Sequence, residues 1–297
     1  MRFFLKSLFA ILLAALIAGA LTYPAWLLAG LFGDVRPDRV MRRIGMIVLG
    51  VALVVVLRRA GLANRITLGY GIPRSLFLRQ LALAFAAGLL LMLPLVVALF
   101  GFHLRVTDAD LTAFTLAKYF LQGILTGFTV AFIEETFLRG AMFGVIQRES
   151  GTALAIALPS LLYAAVHFLG GGLRIPANEM NFVGGLRIAA DLFTRFTEPW
   201  QFFDSFLALL ALGLLLSLIR LRTGAIASCV GLHAGGVCVI TVLRNISTVN
   251  PTAPHAWLVG SYDGVIGWLA FVWIGSVLIA YRRFSRPKKA PGRGSRR

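Results

Sequence analysis

Eight long apolar runs dominate the chain, at 7–31, 44–57, 76–102, 114–133, 152–170, 202–219, 225–243 and 265–281. An α-helix rises about 1.5 Å per residue, so about 20 apolar residues cross the hydrocarbon core of a bilayer, and most of these runs approach that length. A protein dissolved in water has no use for so many. Apolar residues make up 59% of the 297 and charged residues only 14%, against roughly 45–50% and 25% in ordinary soluble domains. The expected fold is therefore all-α: a polytopic integral membrane protein of about eight transmembrane helices. The run at 44–57 is short, with 14 residues, and reaches spanning length only if Met41–Arg43 and Arg58 extend toward the two interfaces.

Charge orients the bundle. A formal charge of +17 would suit nucleic acid binding in a soluble protein, but here the basic residues flank apolar helices, which is the pattern that sets membrane topology, and no nucleic acid partner is expected. With the N-terminus inside, the cytoplasmic segments carry nineteen Lys and Arg and the outer segments nine, with Lys118 inside a span. The bias places both termini in the cytoplasm, consistent with an even number of spans. Three regions are expected: an N-terminal membrane region of three spans (1–112), a core of five spans (113–281), and a basic tail (282–297) that reads as a plain stop-transfer anchor. The N-terminal run is longer than the apolar region of a signal peptide and reads as an uncleaved first helix. The outer stretch 171–200 mixes Leu186, Ile188, Leu192 and Phe193 with Arg187, Asp191 and Arg195, as in a helix lying on the surface that either lids a cavity or packs there. Cys229 and Cys238 are nine apart in one run, unsuited to a disulfide, and read as core residues.

An ionisable side chain inside a span costs several kcal/mol unless it is paired or faces a cavity, so such residues mark function. Those that qualify are Glu134, Glu135 and Arg139 near the inner end of the fourth span, His167 in the fifth, His233 in the seventh, and Lys118. Lys118 reads as an interfacial anchor; His103 and His255 fall in loops. On a regular helix Glu135 and Arg139 lie about 40° apart around the axis and can pair, whereas Glu134 is about 140° from Arg139 and lacks that partner. A division of labour follows: Glu135 with Arg139 for structure, Glu134 for proton transfer to and from water. Gly231, Gly235 and Gly236 around His233 permit another helix or a substrate backbone to come close. Two imidazoles from separate helices can hold a metal with a carboxylate, or donate to a developing oxyanion.

Glu134-Glu135-x-x-x-Arg139, Tyr163-x-x-x-His167 and the later His233 resemble the successive motifs of the CAAX prenyl endopeptidase and bacteriocin-processing family, also called CPBP or Abi, over roughly residues 114–245. The resemblance implies an intramembrane endopeptidase of the bacterial inner (plasma) membrane whose site opens to the cytoplasmic side. Its substrate would be a membrane-associated peptide or protein in the lipid bilayer. By motif position Glu134 would activate water, with Glu135, Arg139, His167 and His233 completing the catalytic set. Glu134, His167 and His233 would hold a divalent metal such as zinc, or the two histidines would stabilise the oxyanion with no metal. Two positions depart from the family pattern: Tyr163 stands where Phe is usual, and Val237 where Asn often follows the second histidine. Val237 cannot hydrogen-bond, so the alternative is a non-catalytic scaffold, immunity factor or transporter that keeps the polar cluster. No HExxH, GxSG or GxGD motif points to another intramembrane protease; Tyr262-Asp263 matches half of the last by chance.

Overall fold

The computed structural model describes residues 1–33, 35–59, 61–108 and 111–284. Among them the chain forms nine helices: α1 (Arg2–Gly30), α2 (Pro37–Arg59), α3 (Arg74–Gly101), α4 (Ala113–Ser150), α5 (Thr152–Val166), α6 (Phe182–Asp191), α7 (Phe203–Thr223), α8 (Ala227–Ile246) and α9 (Trp268–Phe284). Six of these, α1 to α4, α7 and α8, are long and apolar enough to cross a membrane. The two remaining apolar runs fold as α5 and α9, of 15 and 17 residues. The eight runs thus yield six full-length candidates and two shorter helices, and the protein is a multi-pass membrane protein. Residues 285–297 of the basic tail lie outside the described residues.

Side chains such as Phe9, Leu28, Met46, Leu90, Phe114 and Leu125 stand exposed on the outer faces of α1 to α4. A soluble surface would not carry so large an apolar area, whereas a lipid-facing one requires it. Helix α2 runs well past its 14-residue apolar core, and at its start Arg36 donates two hydrogen bonds to the Asp38 carboxylate, both at 2.9 Å. Helix α6 packs on α1 and α2. A helix stands within 171–200, and it packs on the N-terminal pair.

The centre of the bundle is α8, held between α3 and α4, while α7 packs against α5 and α9. Lipid tails are as apolar as leucine, so helices in a bilayer associate largely through close packing, and small residues at the contacts permit it. A Cβ on Gly235 would lie 2.5 Å from the Phe85 carbonyl oxygen and 2.9 Å from the Gly88 Cα; one on Gly123 would lie 2.8 Å from the Cys238 carbonyl oxygen. Gly236, one residue on, has nothing within 4 Å of such a Cβ. Gly235→Val is therefore expected to destabilise the fold by about 1–3 kcal/mol, read as a lower thermal midpoint in detergent, while Gly236→Val leaves the midpoint nearly unchanged. Equal effects would show that the α3–α8 contact is not tight.

At one end of the bundle, strands β1 (Arg105–Thr107) and β2 (Ser247–Val249) pair antiparallel, with Arg105 opposite Val249. Arg105 is buried and fixes this small sheet, donating to the Ser247 hydroxyl at 2.8 Å and to the carbonyls of Gly264 at 3.1 Å and Leu243 at 3.3 Å. The opposite end gathers Arg220, Arg222 and Arg282; Arg222 reaches across to the Arg282 carbonyl at 3.1 Å.

Candidate active site

Four of the five candidate residues come together where α4, α5, α7 and α8 meet. Helix α4 is not regular there. Directly after Glu135 it widens into a π-helical segment, Thr136–Met142, which corrects the regular-helix geometry expected for this stretch. Such segments are rare and occur often at functional sites. The widened turn is secured from outside: Arg220 of α7 donates from Nε to the Arg139 carbonyl at 2.9 Å, and Tyr70 and Thr136 share a hydrogen bond of 2.6 Å between their hydroxyls.

Glu135 and Arg139 are both fully buried. Arg139 donates from Nη1 to Glu135 Oε1 at 3.0 Å and from Nη2 to the Gly213 carbonyl of α7 at 2.9 Å, and its guanidinium sits 4.8 Å above the Tyr163 ring. The same Glu135 oxygen lies 3.0 Å from His233 Nδ1. A carboxylate only accepts, so Nδ1 carries the proton, and in the neutral ring Nε2 is left with its lone pair. That Nε2 is 3.9 Å from Glu134 Oε2, too far for a direct hydrogen bond. Glu134 differs from its neighbour in kind. Its side chain is 28% exposed against 0% for Glu135, and its inward oxygen, Oε2, has no hydrogen-bond partner among the described residues. Glu135 Oε2 and Arg139 Nε also lack partners.

His167 caps α5, which ends after 15 residues instead of crossing the full bundle. Its Nδ1 lies 2.7 Å from the Tyr163 carbonyl, so this ring too spends its Nδ1 proton on an acceptor. Tyr163 stands between the imidazoles, edge-on to both, with ring centres 4.6 Å from His167 and 5.6 Å from His233. Both histidines and Tyr163 line a cavity of about 520 Å³, whose walls are otherwise mostly aliphatic, including Leu91, Leu212, Leu232, Val237 and Ile240. No residue of 171–200 lines it. The cavity extends to Arg244, Asn245, Tyr262 and Asp263, at the end of the bundle that carries the two-stranded sheet. The charge bias assigns that end to the outside, whereas the resemblance implies a cytoplasmic opening. Both cannot hold for this cavity.

Lys118, His103 and His255 are exposed, away from the cluster. Cys229 and Cys238 are free and buried. Tyr262, whose match to half of GxGD is by chance, lines the cavity with its ring centre 6.4 Å from that of His167, a role its sequence context does not signal. Arg220 and Gly213 likewise carry no motif and serve through a side chain and a carbonyl on α7.

A metal would need lone pairs on both Nε2 atoms, and the two Nδ1 hydrogen bonds provide that tautomer, with Glu135 behind His233 as metal-bound imidazoles often have. The third requirement fails: among the described residues no three His, Cys, Asp or Glu side chains come together as a metal-holding group, Glu134, His167 and His233 included. As placed, Glu134, His167 and His233 do not fit a metal centre.

A polytopic helical membrane protein with a buried carboxylate–guanidinium–imidazole cluster beside an aliphatic cavity is thus defined by fold and site. Residues 116–239, which contain all of Glu134, Glu135, Arg139, Tyr163, His167 and His233, match the family model described as Type II CAAX prenyl endopeptidase Rce1-like. The match agrees with the resemblance carried by the motifs and supports a membrane protease of the CAAX type. No curated protein and no solved structure matches the chain.

Proposed function

We propose that the protein is an intramembrane endopeptidase that hydrolyses a peptide bond of a membrane-associated peptide or protein, with Glu134 as the general base. One observation carries this reading: of two adjacent carboxylates, Glu135 is committed to Arg139 and His233, while Glu134 keeps an unpartnered oxygen 3.9 Å from His233 Nε2. That separation is one a water oxygen bridges with two ordinary hydrogen bonds. Water held there gives a proton to Glu134 as its oxygen attacks the substrate carbonyl carbon. The tetrahedral intermediate then collapses, the C–N bond breaks, and the protonated Glu134 returns the proton to the leaving amine. Glu135 and Arg139 act by holding His233 in the tautomer and orientation that place Nε2 beside the water. The aliphatic cavity walls suit apolar residues on either side of the scissile bond, and the inner (plasma) membrane is the compartment this reading assigns.

Cleavage of a library of membrane-tethered peptides by the purified protein in nanodiscs tests the proposal. Wild type is expected to cleave, and the rate is expected to be unchanged by a strong chelator. Chelator-sensitive cleavage restored by zinc would replace the metal-free mechanism. Absence of cleavage across the library, in protein whose fold is verified, would favour the non-catalytic scaffold.

A further inference from the structure

An oxyanion needs hydrogen-bond donors aimed at the place where charge develops. In this site the imidazole donors are spent, and Arg139 Nε, which has no partner among the described residues, does not line the cavity. The single proton of neutral His167 goes to the Tyr163 carbonyl and that of neutral His233 to Glu135, so both Nε2 atoms facing the work are acceptors. Val237, one helical turn beyond His233 on the cavity wall, has nothing to donate. Thr241, a further turn along, already gives its hydroxyl proton to the Val237 carbonyl at 2.8 Å.

One hydroxyl remains between the two imidazoles. Tyr163 is 1% exposed, lines the cavity, and packs edge-on against both histidine rings. Its phenol lies within electrostatic reach of Glu134, Arg139, Glu135 and Tyr262. The Arg139 guanidinium over the ring face fixes the ring and so the direction of the O–H. Tyr262, the other tyrosine of the cavity, has its ring centre 6.4 Å from that of His167 and packs edge-on against Phe168.

We propose that the Tyr163 hydroxyl is a catalytic donor that hydrogen-bonds the substrate carbonyl oxygen and holds the oxyanion when water attacks, supplying the donor that Val237 does not. The inference rests on the hydrolase reading above. The carbonyl π pair moves onto oxygen as the water oxygen bonds to carbon, and the water proton passes to Glu134. Tyr163 keeps its own proton throughout, and the C–N bond breaks as the π pair returns.

The test compares wild type, Tyr163→Phe, Tyr262→Phe, and Tyr163→Phe combined with Val237→Asn, on one cleaved peptide in nanodiscs. Tyr163→Phe retains the ring under Arg139 and is expected to keep its thermal midpoint and KM while kcat falls about 10²–10³-fold, the usual loss for one oxyanion donor. Val237→Asn in that background, which places an amide on the same wall, is expected to recover part of kcat. A Tyr163→Phe kcat within twofold of wild type would overturn the assignment, as would a loss confined to KM, a loss that tracks a fall in the thermal midpoint, or a larger kcat loss in Tyr262→Phe. Failure of wild type itself to cleave would overturn the hydrolase reading, and this inference with it.

Discussion

Glu134→Gln is expected to lower kcat about 10²–10⁴-fold, the usual contribution of a positioned general base, while the thermal midpoint stays within a degree or two of wild type. The amide is nearly isosteric and cannot take a proton from water. Stability is spared for a specific reason: Glu134 Oε2 has no hydrogen-bond partner to lose among the described residues, and the side chain is partly exposed. Peptide cleavage and thermal unfolding measured on the same nanodisc preparation decide the matter. Retained cleavage would remove Glu134 from the chemistry. Glu135 would not then be an obvious substitute, because its side chain is fully buried and Oε1 is engaged by both Arg139 and His233. A cleavage loss that came with unfolding would mean instead that Glu134 holds the fold, contrary to its geometry.

The contrast between the two glutamates was partly legible in the sequence, because one relation between them is local. Residues four apart on a helix meet whatever the rest of the protein does, so a Glu135–Arg139 pair was accessible from spacing alone. The apolar runs were legible for a similar reason: hydrophobic length needs no partner to be recognised. What eluded the sequence depends on contacts between distant segments. The π-helical turn after Glu135 is held by Arg220, 81 residues away from Arg139. The small sheet exists because buried Arg105 finds carbonyls on Leu243 and Gly264. Helix α5 ends at His167, short of its 19-residue apolar run, and the residues that follow, Leu169 to Gly172, leave the helix. Tyr163 gained meaning only when His233, 70 positions later, was seen against the other side of its ring.

Arg139→Leu is expected to destabilise the protein by about 3–5 kcal/mol, the usual consequence of removing one partner from a buried ion pair. Both partners are fully buried, so neither solvent nor salt screens the pair. Removing the guanidinium leaves Glu135 charged in an apolar interior with His233 as its remaining partner, and it leaves the Gly213 carbonyl without its donor. The ring of Tyr163 loses the cation above it as well. Glu135→Gln with Arg139→Leu removes both charges and is expected to recover most of the stability, because two neutral groups of similar size cost far less to bury than one unpaired ion. Activity follows a different course. Without the Glu135 carboxylate, the His233 tautomer is no longer enforced, so the double variant is expected to fold yet stay at least about tenfold slower, as is common when the partner that orients an imidazole is lost. Thermal midpoints and cleavage rates of the single and double variants form a double-mutant cycle. If the stability effects of Arg139→Leu and Glu135→Gln simply add, the two charges do not depend on each other, and the division between a structural Glu135 and a reactive Glu134 fails.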